Sequence, residues 1–341
     1  MNTKTNERIM YDGLKQVDGL VFRHFAGEAD HQIRLDIANA CKEVNGFDWI
    51  ITLEDIKNDE LWSANYDIDQ QLIYVELDGE PIGYFGWNWQ EELNGTMVFW
   101  PWGNLVPAHW GKGIEEIMLQ FTEEQCRLAA SGMPEEQKKI FRTWRKNKAT
   151  DIIAFLQQHG YRPERFFFEM SRPIEKEIPD CPLPEGIEIR PVEPSHYRAI
   201  WDADQEAFHD HWGYAEPTEQ MFEAWQKERH FRPQYWKVAW EGDQVCGMVR
   251  NYFDEEENKQ NNRQRGWTEE ISVRRPWRGK GLAKALIAES IRMFRDMGME
   301  ETALGVDSDN PNGALKLYET MGYEVDEDKK SMILFKALES A

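Results

Sequence analysis

The sequence predicts an α/β (α+β) protein built from two tandem copies of one domain, each a mixed, largely antiparallel central sheet flanked by helices. Three observations predict it. The chain has 341 residues, more than one hydrophobic core usually organises. Four sequence landmarks appear twice in the same order, 162 to 168 residues apart. Each copy also carries a glycine-rich turn that opens a helix-like segment.

The first landmark is a short alternating strand, Gly19-Leu20-Val21-Phe22-Arg23, repeated as Gly186-Ile187-Glu188-Ile189-Arg190. The second is a hairpin. Tyr74–Leu77 and Ile82–Phe85 flank Asp78-Gly79, as Val238–Trp240 and Val245–Val249 flank Glu241-Gly242, and an acid followed by glycine suits a tight strand turn. The third is Gly111-Lys112-Gly113, matched by Gly279-Lys280-Gly281. The fourth is an apolar segment ending in Gly-Tyr, Phe155–Tyr161 and Leu317–Tyr323, where glycine closes a helix before a strand begins. Proline-spaced, charged composition from Arg172 to Glu185 marks a connection, so the expected division is 1–175, a linker at 176–185, and 186–341. Residues 254–265 contain no apolar side chain and read as a long solvated loop between strands.

Composition narrows the function. A formal charge of −22 gives no general electrostatic support for DNA or RNA as a partner and favours a cationic or amine-bearing small molecule. No apolar run is long enough to span a bilayer, and the start MNTKTNERIMYDG lacks the apolar core of a secretory signal, so a cytoplasmic protein without a membrane partner is expected. Cys41, Cys126, Cys181 and Cys246 stand singly, which fits a reducing compartment and argues against a zinc site.

The informative stretch is 269–287, in which a strand runs into a basic turn and then a helix. Gly279, Gly281 and Ala283 are small enough to let an anion approach free amides at the positive end of the helix dipole. Arg274, Arg275, Arg278, Lys280 and Lys284 reverse the sign of an otherwise acidic chain at this place. A P-loop is excluded because Leu282, not Lys-Ser/Thr, follows Gly281. A dinucleotide fingerprint is excluded for want of its third glycine and downstream acid.

These residues resemble the GNAT superfamily of N-acetyltransferases. The family's pyrophosphate motif, R/Q-x-x-G-x-G/A, stands complete as Arg278-Gly279-Lys280-Gly281-Leu282-Ala283. A later motif is present as Asn310-Pro311-Asn312-Gly313-Ala314-Leu315-Lys316-Leu317-Tyr318 with Gly322-Tyr323, its asparagine displaced by one residue, so that Asn310 and Asn312 are both candidates for the family role. The resemblance covers the second copy. It implies a sheet whose fourth and fifth strands splay apart, acetyl-CoA as co-substrate and no metal. The pantetheine arm would lie along Ile271, Ser272 and Val273. It further implies direct attack of an acceptor amine in a ternary complex.

Within that frame Glu269 is the candidate base, on the same strand face as Ile271 and Val273, with Glu270 as the alternative should the strand carry a bulge. Tyr318 stands where the family's usual acid protonates the departing thiolate. Asp210 and Trp212, in the segment between the first two helices of the copy, are the candidate acceptor contacts, a carboxylate for a cationic amine and an indole for its apolar part.

The first copy departs at each of these places. Pro101 replaces the candidate base, Trp110 the arginine, Leu156 the tyrosine, and Glu115 brings bulk and negative charge where Ala283 leaves room. It is therefore expected to bind acetyl-CoA poorly and to serve structurally. Tandem chains with one degenerate half, like those of mycothiol synthase relatives, resemble this arrangement in architecture. The alternative reading is a non-catalytic acyl-CoA-binding sensor, against which the retention of Glu269 and Tyr318 argues.

Overall fold

A computed structural model describes residues 8–63, 65–310 and 312–339; Pro311 of the asparagine motif and the outermost residues of both copies lie outside them. In the first half the chain forms β1 (Leu20–His24), α1 (Ala29–Ala40), α2 (Leu53–Asn58), α3 (Ile68–Gln71), β2 (Leu72–Leu77), β3 (Glu80–Glu91), β4 (Met97–Leu105), α4 (Ile114–Ala130), β5 (Lys139–Lys146), α5 (Thr150–Gln158) and β6 (Arg162–Pro173). The second half runs β7 (Glu188–Arg190), α6 (Tyr197–Phe208), α7 (Glu219–Trp225), β8 (Lys237–Glu241), β9 (Gln244–Tyr252), α8 (Glu255–Gln260), β10 (Arg265–Val273), α9 (Leu282–Asp296), β11 (Glu301–Asp307), α10 (Ala314–Thr320) and β12 (Glu324–Ala337). Each landmark of the repeat falls on the element expected of it: β1 and β7, the β2–β3 and β8–β9 hairpins, the starts of α4 and α9, and the ends of α5 and α10.

The described chain forms two compact units, which are not two consecutive stretches. The first takes residues 8–164, 218–227 and 332–339; the second takes 165–217 and 228–331. In the first unit β1 to β4 pair antiparallel in sequence order, and β5 joins β4 in parallel. One face is covered by α4, whose Ile114, Ile117, Met118 and Phe121 recur at helical spacing and are buried. Phe121 meets Phe22 and Phe85 edge-on at 5.7 Å, and Leu334, from the end of β12, is fully buried in the same core.

In the second unit β7 to β10 pair antiparallel and β11 joins β10 in parallel. The free side of β11 pairs with Phe167–Pro173 of β6. The copies have thus exchanged their closing strands: β6 completes the second unit, and the end of β12 belongs to the first. Behind the second sheet α9 buries Ile287, Ile291 and Phe294 with Leu304, Tyr323 and, from β6, Met170.

Two expectations are corrected. Residues 254–265 include a helix, because Asp254 caps α8 by accepting the Glu257 amide at 2.9 Å. Asn258 then turns inward, donating to the Arg265 carbonyl and accepting the Arg265 amide, so polar side chains hold the segment where no apolar one is available. Arg172, placed with the linker by composition, is fully buried in β6. Its guanidinium donates to the carbonyls of Met321, Pro173, Lys176 and Glu177. The chain between Ile174 and Ile187 carries no helix or strand.

Candidate active site

The site begins where the second sheet opens. Strands β10 and β11 pair only through Arg265–Trp267 with Glu301–Ala303, and the hydroxyls of Thr268 and Thr302, 2.7 Å apart, mark the point of separation. Beyond it the edge of β10 has no partner in β11. On the opposite edge the β9–β10 register jumps between Glu269 and Ser272. Glu270 occupies this bulge with φ of 46°, a left-handed conformation that costs a non-glycine residue on the order of 1 kcal/mol and recurs at functional sites.

The bulge sends the two glutamates to different partners. Both oxygens of Glu270 accept from Arg250 Nη1 at 2.7 Å, and Arg250 also pairs with Glu228. Glu269 instead crosses the split, its Oε1 accepting the Gly305 amide at 3.0 Å. Burial first, and the neighbouring Glu270 second, push its carboxyl up to about 8, although that amide pulls the other way. Tyr318, on α10, is buried against the ring of Tyr323. Burial and then the charge of Glu269 raise its hydroxyl above the ordinary tyrosine value, which keeps it protonated.

Below the split the chain turns into α9. Gly279 and Gly281 both have positive φ, 74° and 85°, and a Cβ added to either meets nothing within 4 Å, so the turn presents open backbone. Gly281 caps α9 without a side-chain hydrogen bond, and its first turn (Leu282, Ala283, Lys284) holds no acid. Those amides and the helix dipole form an unobstructed anion cradle. Of the five cations, Arg274 is engaged by Glu206, and Arg275 and Arg278 by Asp210. Arg278 also donates to the carbonyls of Val273 and Ala207 at 2.9 Å, locking the end of β10 to α6. Lys280 and Lys284 remain without an ion pair among the described residues.

Asp210, a candidate acceptor contact, braces the two arginines, which hold its carboxyl well below the ordinary range. Trp212 lies under the Arg165 guanidinium, 4.9 Å from its ring centroid. Asn310 accepts the Asn312 amide through its side chain at 2.8 Å, shaping the turn into α10. Among the described residues no three His, Cys, Asp or Glu side chains converge as metal ligands would.

One acid escaped the sequence reading. Asp204 on α6 is buried beside Glu270 and Ser272, its Oδ1 has no hydrogen-bond partner, and burial raises its carboxyl well above the usual range. The readable signal was an aspartate on the apolar face of α6, in step with Ile200, Trp201, Ala203 and Ala207.

In the first unit the corresponding cradle is closed. Glu115 Oε1 accepts the Gly111 amide at 2.8 Å, and Trp110 Nε1 donates to the Leu105 carbonyl at 3.0 Å, the bond that Arg278 makes to Val273.

A mixed sheet that splits above a glycine-rich strand–turn–helix cradle defines the class of acetyltransferase-type α/β domains. Residues 197–323 match the acetyltransferase (GNAT) family. The mycothiol acetyltransferase of Salinispora arenicola is 29% identical over 53% of this chain and 59% of its own length, so the match spans little more than half of that relative. The Streptomyces coelicolor mycothiol acetyltransferase is 27% identical over 74% of this chain and 75% of its own. Among solved structures, a GCN5-related N-acetyltransferase from Sphaerobacter thermophilus superposes with a TM-score of 0.64 and 26% identity, covering 94% of this chain and 96% of that one. A tandem GNAT protein from the clavulanic acid pathway shares the fold, with a TM-score of 0.60 over 94% of this chain and 99% of its own at 12% identity. Residues 197–323 are thus similar to GNAT acetyltransferases, and the fold of the chain is that of tandem GNAT-type domains.

Proposed function

We propose that the protein is an acetyl-CoA-dependent N-acetyltransferase whose second unit carries the reaction and whose acceptor is a small primary amine. The observation that carries this reading is the pairing of an open cradle with a glutamate poised near pH 8 at the split. The backbone of Gly279 to Ala283, with Lys280 and Lys284, would hold the pyrophosphate. Ile271, Ser272 and Val273 on the unpaired edge of β10 would hold the pantetheine, and Asn310 or Asn312 would close the far side. Acetyl-CoA supplies an activated thioester carbonyl.

Glu269 is the base: the amine nitrogen forms a bond to the carbonyl carbon while its proton passes to this carboxylate. The bulge at Glu270 frees strand amides from β9, making them available to the thioester oxygen. As the C–S bond breaks, the sulfur takes the electron pair and then the Tyr318 proton. Arg250 pairs with Glu228 and Glu270, while the nearby carboxyls of Asp204 and Glu269 have no ion pair among the described residues; an incoming cation would favour their ionised forms, which supports a cationic acceptor. We read the two sequence copies as 1–175 and 186–341 joined by 176–185. We place the protein in the cytoplasm, a reading supported by four free cysteines. No helix among the described residues is long and apolar enough to cross a membrane.

The test is calorimetric titration of acetyl-CoA followed by a thiol-release assay over a panel of small amines. One binding site with amine-dependent release of CoA is expected. Binding without release on any amine would leave a sensor, and no binding would remove the proposal.

A further inference from the structure

The first unit has its own split, since β4 and β5 pair only through Met97–Phe99 with Lys139–Phe141. Two adjoining cavities lie in it, sharing Trp102, Asn104 and Arg145. The one toward the closed cradle holds only about 80 Å³, narrowed by Trp110, Glu115, Phe155 and Leu156 in its lining. The other holds about 320 Å³, the lower end of the range for small-molecule sites and far too little for a coenzyme. The cofactor half of the cleft is therefore plugged, while the other half is open.

The open half is lined by buried polar atoms that lack partners. Arg145 donates from Nη1 to the Trp144 carbonyl, but its Nε is buried without a hydrogen bond, and no carboxylate pairs with it among the described residues. Burial pushes this guanidinium down to about 10, as expected of a cation missing its counterion. Tyr66 Oη is likewise buried and unpartnered, with its ring edge-on to Trp102 at 6.0 Å. The two other cations of the wall are already engaged: Arg34 lies over the faces of Tyr84 and Trp102, with Asp59 and Glu60 at 3.8 and 3.9 Å, and Lys146 lies over the rings of Trp49 and Trp144. The chemistry left over is one uncompensated guanidinium beside an aromatic wall.

We propose that the split of the first unit binds a small aromatic carboxylate, its carboxylate on Arg145 and its ring against Trp102 and Tyr66. A charge-assisted bond to a buried guanidinium recognises an anion, and the indole and phenol recognise a flat ring. The site is separate from the cradle of α9 and does not depend on the acetyltransferase reading.

The experiment is calorimetric titration of indole-3-acetate and 4-hydroxyphenylacetate into the full chain without acetyl-CoA, with indole-3-acetamide as the uncharged control. At least one carboxylate is expected to bind one per chain, at least tenfold tighter than the amide. Arg145→Met should weaken it at least tenfold, and Arg145→Lys should restore most of the loss. Ala283→Glu, directed at the other unit, should leave it unchanged whether or not acetyl-CoA still binds. No heat from either carboxylate at millimolar concentration, equal binding of the amide, or binding indifferent to Arg145→Met overturns the proposal. Should Arg145→Met fail to fold by circular dichroism, the amide comparison in the wild type and the Arg145→Lys variant decide it.

Discussion

The carboxylate of Glu115 accepts the backbone N–H of Gly111 at 2.8 Å, so the first unit fills with its own side chain the anion position that Ala283 leaves open in the second. The two cradles share their glycines and their strand–turn–helix frame, and differ by an internal anion. Transferring that anion tests the division of labour. Ala283→Glu should weaken acetyl-CoA by at least about tenfold, some ~1.4 kcal/mol, while the melting temperature without ligand changes little. Calorimetry on the wild type and the variant reads this directly, and undiminished binding in Ala283→Glu would move the cofactor elsewhere.

On the proposed reaction, Glu269 should set the pH dependence of the rate. A base held at about 8 is mostly protonated at neutral pH, so kcat/KM should climb with pH and level off above about 8. Glu269→Gln should lower kcat by roughly 10² to 10⁴ and flatten that rise, with acetyl-CoA affinity retained. Glu270→Gln also removes a charge that raises Glu269, so its profile should shift to lower pH rather than vanish. A pH–rate series on the three proteins separates these outcomes, and a profile lost with Glu270 instead would make that residue the base.

The repeat, the strand–turn–helix cradle and the degeneracy of the first copy were legible because each is a local pattern: an offset, a glycine pair, a glutamate in place of an alanine. The bulge was legible only as an alternative between Glu269 and Glu270, since two adjacent acids look alike until the register against β9 is fixed. The fates of Asp210 and Asp204 were not legible. Whether an aspartate meets Arg275 and Arg278 or is buried with one oxygen unsatisfied depends on how α6 packs, which no local spacing encodes. Strand exchange was hidden for the same reason, because an apolar strand declares that it pairs and not with which neighbour.

The exchange predicts that the C-terminal strand stabilises the N-terminal fold. Leu334 is fully buried with Phe141 and Phe121, and both oxygens of Glu123 on α4 accept from Lys336 at 2.7 Å. Leu334→Ala should cost about 2–5 kcal/mol. The loss should appear in hydrogen exchange as weaker protection of β5 and α4, with α9 and β11 holding theirs. Weaker protection confined to α9 and β11 would contradict the exchange.

Glu269 also ties stability to pH, in a direction opposite to that of the usual paired carboxylate. Its folded carboxyl stands at about 8, against an ordinary glutamate value of 4.5, so the native state keeps a proton that the unfolded chain has released. Below pH 4.5 both states are protonated and the neutral side chain loses water without penalty. Between 4.5 and 8 the unfolded state binds fewer protons, so unfolding becomes steadily easier as pH rises, and beyond 8 the loss is complete. Glu269→Gln buries a neutral amide at every pH and lacks this dependence. The melting temperature of the wild type relative to the variant should therefore fall from pH 5 to pH 8.5. An unchanged difference across that range would mean that Glu269 is ionised in the folded protein at neutral pH, and the rise in rate near pH 8 would then have to come from another group.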